Sequence, residues 1–377
     1  MTIETLYFDN ENWNFENELV SDKNTINLVL VFGDTDVFEN PAHYEYLKNL
    51  YPNADIVGSS TAGHVLGPVV SNKCIVASAI HFEKGSITLN TIDFKLDDDL
   101  EVIARNLVAP LSSENLQSIF IISDGLHMNG SALAKGVNLE KENILISGGL
   151  AGDEARFEKT LVMANDIPKE QRLVAIAFYG EAFHVSGGAY GGWEEFGAER
   201  IVTKSKANVV YEIDNEPALA LYKRYLGDEA KDLPGSGLRF PLNMKPSKNA
   251  KTRIRTLLGI DEDTQSLTLA GDIAQGSYIK LMKTDINNII DASEKAAQNI
   301  VQNNKNTALA LVVSCIGRKT VLGELVDEEL EVIEDTLGKN VHLTGFYSYG
   351  ELAPFSSEAS NCELHNQTMT ITVIYED

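Results

Sequence analysis

The residues best suited to chemistry sit in short turns at the ends of apolar runs. Gly58-Ser59-Ser60-Thr61-Ala62-Gly63 puts hydroxyls beside free backbone N–H groups. Strand ends of this kind in open α/β sheets are where ligands bind. The same residues also suit a tight turn, because glycine tolerates positive φ. No Walker lysine follows, so a phosphate loop is not supported. Gly148-Gly149-Leu150-Ala151-Gly152-Asp153 is a second turn of this type. Its glycine order does not fit GxGxxG, which disfavours a dinucleotide site. Asp153 and Arg156 either pair with each other or hold a ligand's amino and carboxyl groups.

The C-terminal part holds a third set. Ser314-Cys315-Ile316-Gly317-Arg318 ends an apolar run. Cys315 would be a nucleophile if a base such as His365 lay beside it. A strand-end cysteine is more often a small buried hydrophobe. The planar fork of Arg318 suits a carboxylate. Tyr347 and Tyr349 share one strand face, lining a pocket or simply packing. The seven histidines show no HxH or HExxH spacing, which disfavours a metal centre. A single histidine still suffices as an axial haem ligand, and His184, before a Gly-rich stretch, is the residue to test.

These turns need elements that present them, and the chain repeats one such arrangement. An apolar run, a helical pattern and a second run into a Gly-rich turn occur three times. Gly33 and Gly58 are 25 positions apart, Ser123 and Gly148 also 25, and Ser314 and Gly345 31. Cys74–Phe82 with Ser86–Phe94, and Arg172–Tyr179 with Ala182–Ser186, read as hairpins. The expectation is an α/β fold of two domains, with mixed sheets flanked by helices and internally duplicated strand–helix–strand units. Residues 1–25 read as a loosely docked arm, 26–216 as one domain and 217–377 as the other.

The 377 residues carry a net charge of −24, which argues against a nucleic-acid phosphate backbone or an anionic membrane surface as partner. Three cysteines without a CxxC pair exclude a disulfide scaffold and disfavour a thiolate zinc site. No apolar run approaches the roughly 20 residues a bilayer needs, so no membrane insertion is expected. The N-terminus lacks a secretory pattern, so a cytoplasmic location is expected.

Taken together and in order, the motifs resemble the FIST sensory proteins, which carry an N-terminal and a C-terminal FIST domain. The resemblance rests on the three turns, on Gly192-Trp193 with Phe196-Gly197, on Val202-Thr203-Lys204-Ser205, on Pro217-Ala218-Leu219 through Leu226-Gly227, and on Leu364-His365-Asn366-Gln367-Thr368. It implies a non-enzymatic sensor of small molecules such as amino acids or related metabolites. With no further motif after residue 375, the expectation is a stand-alone sensor that signals through a separate protein such as a histidine kinase, with homo-oligomerisation left open. The ligand-binding candidates are Ser59, Thr61, Gly149, Asp153, Arg156, Arg318, Tyr347, Tyr349, Glu351 and Asn366. Arg156 or Arg318 would take a carboxylate, and Asp153 or Glu351 an amine. No cofactor is expected on this reading. Two alternatives stand beside it: a haem-binding nitric-oxide sensor ligated by His184, as some relatives look to be, and a cysteine hydrolase using Cys315 and His365. The chain departs from the family at His64, where relatives usually carry Glu.

Overall fold

Apolar runs with few polar breaks make strands covered on both faces. Leu28–Gly33, Leu116–Ser123 and Ala308–Cys315 are such strands, almost wholly buried. They belong to a computed structural model that describes residues 1–300, 306–354 and 361–377. Each leads to a helix: Pro41–Leu50, Gly130–Glu140 and Glu328–Leu337. The first two start at asparagines, Asn40 and Asn129, whose side chains accept first-turn N–H groups. Each helix returns the chain to a parallel partner: Asp55–Ser60, Leu145–Leu150 and Val341–Ser348. A third strand flanks each lead strand antiparallel: Ile75–His81, Arg172–Tyr179 and Met369–Glu376.

The registers of the three units coincide. Val31 faces Gly58, Ile121 faces Gly148, and Val312 faces Gly345. A Cβ on these glycines would fall 1.7, 1.9 and 1.8 Å from the facing carbonyl oxygen. Only glycine fits there. This fixes which residues of the following turns are equivalent.

The sheets then exchange strands cyclically. The strand after the first turn, His64–Leu66, pairs with Val341–Ser348 of unit three. Val162–Ala164 follows the second turn and pairs with Asp55–Ser60 of unit one. Gly350–Pro354 follows the third and pairs with Leu145–Leu150 of unit two. The opposite edges are traded too. Ser86–Asp93 joins Arg172–Tyr179 and Phe183–Tyr190 joins Met369–Glu376, while the N-terminal strand Thr2–Asp9 fills the same place beside Ile75–His81 in the first sheet.

This exchange overturns both expected hairpins. Their strands are sequence neighbours but belong to different sheets, because each connection steps from one unit to the next. The turn at Glu83-Lys84-Gly85 donates its three backbone N–H groups to the Glu376 carboxylate of unit three, at 2.7–3.0 Å. The loosely docked arm is also corrected. Thr2–Asp9 and Asn12–Asn17 are strands of the first sheet. Their pattern is obscured by Glu4, which is fully buried but held by Lys23, the Tyr51 hydroxyl and two backbone N–H groups.

Alternate residues of the three lead strands meet in one core. Leu28, Leu30 and Phe32 pack with Phe120 and Ile122 and with Leu309, Leu311 and Val313. Phe32 stacks on Phe346 across two sheets, with ring centroids 5.0 Å apart. The other faces of the lead strands take the helices. A fourth sheet over residues 194–283, with the helix Ala218–Leu226, has its own core around Val202, Val210, Leu219 and Leu267. The architecture is α/β: mixed sheets flanked by helices, in two domain-like halves whose strands share sheets.

Candidate functional site

The three Gly-rich turns meet where the parallel strands end. Gly152 N donates to Ser60 O at 3.1 Å, Tyr349 N to Leu150 O at 3.1 Å, and Ala62 N to Tyr347 O at 2.9 Å. These bonds close a three-membered ring. Ser60, Leu150 and Tyr347 are equivalent acceptors, and Ala62, Gly152 and Tyr349 equivalent donors. The loop after the second turn is tied down by Asp153. Its carboxylate accepts from the Thr35 hydroxyl at 3.2 Å and from the N–H groups of Glu158 and Lys159 at 3.1 and 2.9 Å. Arg156 pairs with Asp153 and with Asp36. The Tyr349 hydroxyl donates to Glu154 O at 3.1 Å, accepts from Asp153 N and Phe157 N, and its ring stacks on Phe157. Thr61 closes the first turn, accepting from Gly63 N at 3.2 Å and lying 3.3 Å from His64 Nδ1.

Two ionisable groups at this junction stand out. Lys319 is half-buried, and its Nζ donates to Ala62 O at 2.7 Å. Asp34 ends the lead strand of unit one and caps the short helix Thr35–Phe38 without a side-chain bond. Asp34 and Glu154 both attract Lys319, yet neither reaches ion-pair distance among the described residues. Burial pulls the Lys319 amine below the usual lysine range. Burial, then repulsion from Glu154, pushes the Asp34 carboxyl up. Both charges are destabilised by their surroundings, as at a site that awaits a partner.

The remaining candidates fall elsewhere. Arg318 and Glu329 are both fully buried and paired at 2.8 Å. The guanidinium also donates to Gly191 O, Ile289 O and the Ser293 hydroxyl. Ser314 and Tyr347 donate their hydroxyls to Glu329, whose charge helps raise the Tyr347 hydroxyl after burial itself. These groups are committed to one another. Gly149 serves packing: a Cβ there would lie 2.6 Å from Val313 Cγ1. Ser59 is buried with its hydroxyl unpartnered among the described residues.

Glu351 and Cys315 form a third, buried group, and Asn366 is buried too, its amide donating to His365 O at 2.9 Å. Burial pushes the Glu351 carboxyl up to about 8, against bonds from Ser348, Thr368 N and the Cys315 thiol. Burial, then Glu351, raises the Cys315 thiol well above its ordinary value. Asn366 Oδ1 has no partner among the described residues. His365 is pushed down to about 4 by burial and bonds Ala353 O at 3.0 Å. His184 lies on the strand Phe183–Tyr190, hydrogen-bonded through Nε2 to Asp377 and stacked on Tyr375. The described residues contain no cluster of three metal-ligating side chains.

Sequence reasoning passed over Lys319, Asp34 and Glu329. Lys319 directly follows the motif that singled out Arg318, and Asp34 directly follows the first strand. The contact of Lys319 with Ala62 spans 257 residues, and even the partners of Glu329 lie 11 to 36 residues away on other elements, so none leaves a local mark.

Comparison with known proteins settles the family. A FIST N domain matches residues 27–216 and a FIST C domain residues 218–354. The chain belongs to the FIST family. FIST domains are associated with signal-transduction sensing. An uncharacterized protein of Methanocaldococcus jannaschii is 23% identical to this chain, over 88% of the chain and 70% of the relative. Among solved structures, cyanuric acid hydrolase from A. caulinodans aligns over 95% of this chain and 91% of its own, with 8% identity and a TM-score of 0.40. That likeness is too distant to bear on chemistry. No helix among the described residues is long and apolar enough to cross a membrane.

Proposed function

We propose that this FIST protein is a cytoplasmic sensor that binds a small polar ligand at the ring of three turns and does not transform it. The observation that carries this reading is the Lys319 amine. It is half-buried among the turns, held by one backbone carbonyl, and facing Asp34 and Glu154 without pairing to either. A ligand with an anionic group for Lys319 and a cationic or donor group for Asp34 matches both charges, as a metabolite of amino-acid type does. Lys319 comes from unit three, Asp34 from unit one and Glu154 from the loop after the second turn, so a ligand held by them would join more than one unit. The bound state would be read by a separate signalling partner such as a histidine kinase.

Calorimetry against a panel of amino acids and related metabolites tests this. A hit on the wild type is expected to lose at least tenfold in affinity in Lys319→Met and in Asp34→Asn, and to be recovered chemically unchanged. Equal affinity in both variants would sink the proposed site, and turnover of the ligand would sink the non-enzymatic reading.

A further inference from the structure

A buried arginine without a carboxylate partner marks a second cleft, far along the chain from the turns. Arg255 ends the short strand Arg253–Arg255 and is 3% exposed. Its Nε donates to Asp272 O at 3.2 Å, and its Nη1 to Ile254 O at 3.0 Å and Leu364 O at 3.4 Å. All of these acceptors are neutral carbonyls. Nη2 donates to nothing among the described residues, and no carboxylate lies within ion-pair distance. Burial, then the like charge of Arg253, pulls this guanidinium down to about 10. A buried cation left in that state is costly, whereas Arg318, equally buried, has Glu329.

Arg255 lines a cleft of about 370 Å³ between the helix Gly130–Glu140 and the edge of the fourth sheet. This lies at the small end of the range for ligand sites. The other charged lining groups are largely satisfied. Arg253 forks onto Glu363 at 3.0–3.2 Å, and Lys135 pairs with Glu101. Asp272 accepts from Asn129 at 2.9 Å and attracts Arg255 only at longer range. The lining holds three cations against two carboxylates, in a chain whose net charge is −24. Met244, Pro246 and Leu364 supply apolar wall.

We infer that this cleft is a binding site for a short organic monocarboxylate, with Nη2 of Arg255 taking the carboxylate and Met244, Pro246 and Leu364 the carbon chain. A monoanion suits the site better than a phosphate dianion, because Asp272 and Glu363 would repel the second charge. The site is separate from the ring of turns and does not depend on the reading given to Lys319. Occupancy would tie the helix of unit two to the fourth sheet.

Butyrate is the probe, followed by isothermal calorimetry and by the Arg255 Nε–H signal in NMR. Saturable binding to the wild type that shifts this signal is expected, with at least tenfold loss in Arg255→Met and no binding of butanol. Lys319→Met is expected to bind butyrate like the wild type, which separates this site from the other. If Arg255→Met fails to fold, Lys135→Glu decides: it lies on the exposed helix face and is expected to weaken butyrate several-fold at low salt. Undiminished affinity in the folded variants, equal binding of butanol, or preference for inorganic phosphate would overturn the assignment.

Discussion

Arg318 and Lys319 are neighbours in sequence, on one turn of the helix Ile316–Leu322, and they put a buried cation to two different uses. Arg318 is enclosed with Glu329 and three further oxygen partners, so its charge is fully answered inside the protein. Lys319 turns to the other side, meets one carbonyl, and faces two carboxylates beyond pairing range. The first region is a fastener and the second is an opening. The equivalent strand-end positions repeat the lesson. Asp124 of unit two accepts from the N–H groups of Leu126, His127 and Gln171 and from His127 Nδ1, at 2.7–3.1 Å. Asp34 of unit one makes no side-chain bond among the described residues, and unit three places Cys315 there, facing Glu351. One scaffold position is thus saturated, open, or nearly apolar, according to the unit that holds it.

The sharpest way to break the comparison is to remove each cation. Arg318→Met leaves Glu329 as an unpaired buried charge and is expected to cost about 3–5 kcal/mol in urea denaturation. Lys319→Met loses one hydrogen bond to a carbonyl and is expected to stay within about 1 kcal/mol of the wild type. Equal losses would mean that Lys319 is a fastener too. Next in size, Asp124→Asn should cost about 1–3 kcal/mol, because charge-assisted bonds to three N–H groups are weakened. The matching Asp34→Asn should move stability by less than about 0.5 kcal/mol, as no side-chain bond is lost.

Glu351 offers a change read along pH. Its carboxyl stays protonated in the folded protein up to about 8, whereas the unfolded chain ionises near its ordinary value. Between those two values the folded state holds the extra proton, so this group's contribution to stability falls as pH rises through that window. Glu351→Gln removes that fall. The variant should gain on the wild type progressively from pH 5 to pH 8, by at most about 1.4 kcal/mol per pH unit. His64, His342 and His365, each pushed down to about 4 by burial, act in the opposite sense. The unfolded chain binds their protons first, so they cost stability as pH falls from about 6.5 towards 4. Both proteins share that acid limb, and only their difference reports Glu351. A constant difference across pH would mean that Glu351 is ionised throughout.

The three strand–helix–strand units were legible because each follows local rules: an apolar run, a helical pattern, and a glycine forced by a facing carbonyl. The equal spacing of Gly33–Gly58 and Ser123–Gly148 reflects a shared register. Strand exchange was not legible, since the residues at Glu83-Lys84-Gly85 suit a hairpin turn equally well, and only the distant Glu376 shows otherwise. The N-terminal strands were hidden by Glu4, a charge that is tolerable in the interior only with partners up to 47 residues away. At the site, Tyr349, Asp153 and Arg156 were recognisable as polar residues in a turn. The opposite fates of Arg318 and Lys319 depend on which face of a two-turn helix meets which unit.

The cyclic trading of strands bears on how the chain reaches its fold. His64–Leu66 waits for residues 341–348, and Phe183–Tyr190 for residues 369–376. Pairings of such sequence separation are slow to form, because loop closure must precede the contacts that repay it. A fragment stopping at residue 216 would leave both strands as bare edges, which invite association with other chains. Refolding of the whole chain should therefore be a single late, cooperative event, and co-expressed halves should assemble only by completing each other's sheets.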